Sequence, residues 1–140
     1  MKSILLMASL IALLSSSAYA FSGRYDLNVL IGDKTYQDVF VISRIQKPKR
    51  NGPFIYSEIK GSFTVPDRFH VPVSGYICYN CQGTTDAEGT IVKASFTAVE
   101  GEHKFKVDLD GLLYKNGQIS GSLKQKNSVF GVFIGKRSKQ

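Results

Sequence analysis

The stretch "HKFKVDLDGLLYKNGQISGSLKQK", residues 103–126, governs how the rest of the chain is read. In its first half Phe105, Val107 and Leu109 alternate with Lys104, Lys106 and Asp108. In its second half Ile119, Gly121 and Leu123 alternate with Ser120, Ser122 and Lys124. Neighbouring side chains on a strand point to opposite faces, so a period of two marks a strand with one dry and one wet face. Between the halves stands Asn116-Gly117, a pair that readily takes the positive φ of a tight hairpin turn. The stretch therefore predicts an antiparallel hairpin.

The same pattern extends in both directions. Towards the N-terminus come "RYDLNVLI" (24–31), the turn pair Gly32-Asp33, "KTYQDVFVISRI" (34–45) and a loop "QKPKRNGP" (46–53). "FIYSEIKGSFTV" (54–65) then ends at Pro66-Asp67. "RFHVPVSGYICY" (68–79), the loop "TTDAEG" (84–89) and "TIVKASFTAV" (90–99) lead to Glu100-Gly101 and back to the opening stretch. Beyond it, Asn127-Ser128 turns the chain into "VFGVFIGKR" (129–137). No segment after residue 20 carries a helical period. About eight short strands with short connections predict an all-β, antiparallel up-and-down barrel, with a β-sandwich as the alternative. Closure removes the exposed sheet edges. Gly61, Gly75, Gly121 and Gly131 fall inside strands, where glycine is expected at bends and bulges.

"MKSILLMASLIALLSSSAYA" (1–20) has a lysine, an apolar run and a small-x-small ending at Ala18-Tyr19-Ala20. It reads as a secretory signal peptide cleaved after Ala20, since the apolar run is short for a membrane span. The expected mature chain, 21–140, is one domain of 120 residues in the secreted or periplasmic space. Without Lys2 it keeps 17 basic against 11 acidic residues, a net charge of +6. That balance suits an anionic partner, although a charge of this size also serves solubility alone.

Cys78 and Cys81, spaced Cys-x-x-Cys, are the chain's two cysteines. A redox pair of this spacing draws its reactivity from a following helix, and none is expected. Zinc needs four ligands, and two distant histidines do not complete the set. In an oxidising compartment the pair reads as a disulfide clamping a turn. A thiol-disulfide redox role remains an alternative.

One resemblance follows from "FSGRYDL" (21–27) and the closing Lys136-Arg137. They resemble the calycin barrels, which include lipocalins and avidins. There a Gly-x-Trp on the first strand packs near a basic residue of the last. The resemblance implies that Gly23, Tyr25 and Arg137 close one end of the barrel, with tyrosine standing where the family has tryptophan. It implies no particular ligand.

Reaction chemistry is sparse. His70 and His103 stand in no catalytic motif and read as a strand and a turn residue. Asp108 and Asp110 share a strand face with Lys104 and Lys106, which reads as a solvated face with ion pairs. "TTDAEG" lacks the full ligand series of a calcium loop. No enzyme activity, metal or cofactor is expected. Lys47, Lys49 and Arg50 on one loop, with Lys136 and Arg137 at the tail, are the candidate anion-binding residues. Nucleic acid is not the expected anion, because the aromatics fall mostly at core positions. Two functions follow as expectations. The first is a binding protein whose loops meet a macromolecular or envelope partner, as an inhibitor would. The alternative is a carrier of a small apolar ligand inside the barrel.

Overall fold

The computed structural model describes residues 21–81 and 89–138. The expected signal segment and most of "TTDAEG" lie outside the described residues. Nine strands follow one another: β1 Gly23–Ile31, β2 Lys34–Ile45, β3 Lys49–Asn51, β4 Phe54–Val65, β5 Phe69–Cys78, β6 Gly89–Glu100, β7 His103–Tyr114, β8 Gln118–Gln125 and β9 Ser128–Arg137. Leaving out β3, each strand pairs antiparallel with the next. β9 returns to β1, with Tyr25 opposite Arg137 and Val29 opposite Phe133. β2 pairs with β4, so the ring of eight strands is closed and the sandwich alternative falls away.

Two local expectations are corrected. The segment 46–53 is not all loop, because Lys49–Asn51 form β3 and pair with Phe54–Tyr56 as a small flap. The last turn sits one residue earlier than expected. Lys126 and Asn127 carry the positive φ angles, 50° and 67°, and Ser128 already belongs to β9.

The alternation read from the sequence becomes alternating burial. On β1, Tyr25, Leu27 and Val29 face inward while Arg24, Asp26 and Asn28 face solvent. The seam between β2 and β4 depends on one glycine. Gly61 lies opposite Ile42, where the register shifts between Ile42 and Arg44. A Cβ at Gly61 would collide with the Val41 carbonyl, so only glycine lets these two backbones lie this close.

The meander gives the barrel two different ends. One end carries the tight turns β1–β2, β4–β5, β6–β7 and β8–β9. The other carries Phe21, the β3 flap, the Cys78–Cys81 segment, the Asn116-Gly117 turn and the end of β9.

Candidate functional site

The end with the tight turns opens into a cup of about 610 Å³. Its wall is mainly aromatic and aliphatic. Phe63 of β4 and Phe96 of β6 stack with ring centroids 4.3 Å apart and planes 11° apart, and Phe69 tilts against Phe96 at 6.4 Å. Phe105, Val107 and Leu123 continue the lining. Ala98 is the small residue on this side of β6, and a small side chain there leaves space that a larger one would fill.

Asp38 interrupts this apolar lining. It lies on β2 in phase with Tyr36, Phe40 and Ile42, so the pleat turns its carboxyl inward. The residue is only 5% exposed, and its Oδ1 has no hydrogen-bond partner. Burial pushes its pKa up to about 6, with the positive charge of Arg68 acting in the opposite sense. Arg68 comes from the β4–β5 turn and lies over the Tyr36 ring, 5.8 Å from its centroid. Asp67 and Glu100 also line the cup, from the turns at its rim. Asp38 takes part in none of the ion pairs found among the described residues.

The opposite end is plugged. Tyr25 is 1% exposed, and its hydroxyl donates to the Phe21 carbonyl at 2.8 Å. Burial pushes the Tyr25 pKa up to about 12, against the lowering effect of nearby Arg137. Gly23 has φ 134°, and a Cβ there would stand 3.1 Å from Cδ of Arg137, so the arginine stem packs over the bare glycine. Gly23, Tyr25 and Arg137, singled out in the sequence, thus meet at one end of the barrel.

Cys78 and Cys81 lie at disulfide distance, with Cα atoms 5.5 Å apart. The two residues between them make the long-range contacts. Tyr79 donates its hydroxyl to Ser57 Oγ at 2.9 Å, and Ser57 is fully buried. Asn80 accepts from the Ile55 amide through Oδ1 at 2.8 Å and donates through Nδ2 to the Pro53 carbonyl at 2.8 Å. The Cys-x-x-Cys turn therefore latches the closed end to the β3–β4 flap. Cys78 is 2% exposed, which shields its sulfur from an external thiol.

The candidate anion-binding residues all lie towards this closed end, but in two places. Lys47, Lys49 and Arg50 are exposed on the connection from β2 to β4, and Lys49 Nζ is 3.7 Å from Glu58. Lys136 and Arg137 border a surface groove with Arg24, Asn116 and Gly117, which Lys47, Lys49 and Arg50 do not reach. The Asp108 and Asp110 carboxylates pair with Lys106 at 3.9 Å and Lys124 at 2.7 Å. His70 is exposed, with Nδ1 2.6 Å from Thr64 Oγ1, and His103 is exposed at the start of β7. No group of three metal-ligating side chains occurs among the described residues.

Asp38 was not among the residues singled out in the sequence. The signal was present: it has the same parity as Phe40 and Ile42 in an otherwise apolar row. No family model, curated protein or solved structure matches the chain, so the candidate site rests on its geometry.

Proposed function

We propose that this protein is a calycin-like carrier that takes a small, largely apolar ligand into the open end of its barrel. The carrying observation is the asymmetry of the interior. One end is plugged by Phe21, Tyr25 and Tyr79, while the other keeps a cup of about 610 Å³ lined by phenylalanines. That volume lies within the range of roughly 300–1,000 Å³ usual for small-molecule sites. An apolar concavity with one or two placed polar groups is how such sites combine affinity with orientation. The role is non-enzymatic on this reading: the lining holds Asp38, Asp67, Glu100 and Arg68 but no histidine, cysteine, serine or threonine to act as a nucleophile or its base. A secreted or periplasmic location fits the Cys78–Cys81 pair.

Calorimetric titration with decanol tests the reading. One equivalent should bind, and Ala98→Trp, which fills the cup from β6, should abolish binding while the far-ultraviolet dichroism stays that of the parent. A parent protein that takes up neither decanol nor other medium-chain apolar probes would overturn it.

The second reading, loops meeting an anionic macromolecule, is favoured by the gathering of Lys47, Lys49, Arg50, Lys136 and Arg137 towards the closed end. It makes a different prediction. Capture of an envelope partner should weaken as salt rises, and should survive Ala98→Trp.

A further inference from the structure

The proposed carrier function leaves open which head group the ligand bears, and the cup contains an observation that bears on this. We propose that the ligand of the cup is an apolar amine, held by its cationic head group on Asp38; this rests on the carrier reading.

Three features of the lining carry the inference. The first is the buried carboxylate itself. A charged group 5% exposed with an unpartnered oxygen is costly, and its side chain faces the cavity. A site that binds only hydrocarbon would do better with leucine there. A ligand ammonium would supply both the missing hydrogen bond and the missing charge. The second is the sign of the local charge. The whole chain is strongly basic, with a net charge of +7, yet the cup is lined by Asp38, Asp67 and Glu100 against Arg68 alone. The third is the position of that arginine. Its guanidinium lies over the Tyr36 ring and makes no ion pair with Asp38, so its charge reaches the carboxylate only at a distance and Oδ1 keeps no hydrogen-bond partner.

The competing head groups fit less well. A carboxylic acid would bring a further negative charge beside Asp38 and leave Oδ1 unpaired. An alcohol could donate one hydrogen bond but would leave the buried charge uncompensated. The phenylalanines around the cup suit an alkyl or aromatic body, and also attract a cation through their faces.

The test compares three probes of equal chain length, decylamine, decanol and decanoate, titrated into the mature protein at pH 7.5 below their aggregation concentrations. Decylamine should bind about tenfold or more tightly than decanol, and decanoate most weakly. Non-specific attraction to a basic protein would favour decanoate, so the expected order cannot arise from net charge. Asp38→Asn, which keeps the shape of the side chain, should remove the amine preference, so that decylamine binds no more tightly than decanol to the same variant. Asp38→Ser should do the same. The ranking in the unmodified protein is decisive even where a variant folds poorly. Equal binding of amine and alcohol, or an amine preference that survives both substitutions, would overturn the inference and leave the carrier function standing. Failure of all three probes to bind would overturn the carrier function and the inference together.

Discussion

Asp38 is held where it costs stability. Its pKa of about 6 in the folded chain lies above the ordinary 3.8. Between those values the folded chain keeps a proton that the unfolded chain releases. Stability therefore falls as pH rises from about 4 to about 6, and stays low above that. Asp38→Asn should remove this slope and stabilise the protein at pH 7 by on the order of 1–3 kcal/mol. Urea melts of both proteins at pH 4 and pH 7 would show it; an unchanged slope would mean that Asp38 is not the group responsible. A substitution that raises stability while removing amine binding is the pattern expected of a residue kept for function. Tyr25 is the opposite case. Its hydroxyl is satisfied by the Phe21 carbonyl, so Tyr25→Phe should lose about 1 kcal/mol and gain nothing, measured the same way.

At the scale of elements, two short pieces hold the barrel in shape. The Cys78–Cys81 bridge closes a very short loop, so removing it by Cys78→Ser with Cys81→Ser should cost about 2 kcal/mol in the chain-entropy account. Asn80→Ala breaks two backbone contacts of the same turn and should cost about 1–3 kcal/mol. Because both changes free the same latch, the triple variant should lose less than the sum, which a double-mutant cycle measures directly. Strict additivity would show that disulfide and latch act separately. The β2–β4 seam is more demanding. At Gly61 any Cβ meets the Val41 backbone, and backbone cannot move aside as a side-chain tip can. Gly61→Ala should destabilise by about 2 kcal/mol or more, seen as a lowered midpoint in thermal melts. The strands themselves were legible from alternation, and β2, β4 and β7 run over the expected residues. The β3 flap was not legible, because three exposed residues carry no burial period; only their pairing with Phe54–Tyr56 makes them a strand.

At the scale of the whole molecule, the barrel has two different ends. The candidate anion-binding residues and the latch lie towards the plugged end, and the cup, lined by Asp38, Asp67 and Glu100 with Lys34 and Lys126 at the turns around it, opens at the other. Uptake of a neutral probe such as decanol should then be insensitive to salt between low and physiological ionic strength, because the probe carries no charge and its contact is apolar. Binding of an anionic macromolecule at the plugged end would fall steeply over the same range. Decanol binding that collapses with salt would place the probe on the basic surface instead of in the cup.

The order of the long strands, the inward faces of β1, β6, β7 and β8 and the all-β architecture were determined by the sequence alone, because period-two burial is a local property; β9 states no face for itself, since Val132 and Ile134 are exposed while the equally apolar Phe133 is buried. Gly23, Tyr25 and Arg137 could also be named from the chain, at its two ends, although only closure of β9 onto β1 brings them into contact. The cup could not be read in this way. Whether an eight-stranded barrel is filled depends on how side chains from all its strands share one space, and no single strand records that sum. Asp38 shows the division most plainly. Its inward direction was written in the parity of β2, but the missing partner is a property of the assembled interior, where Phe63, Phe96 and Arg68 arrive from other strands and turns and leave its Oδ1 without a hydrogen bond.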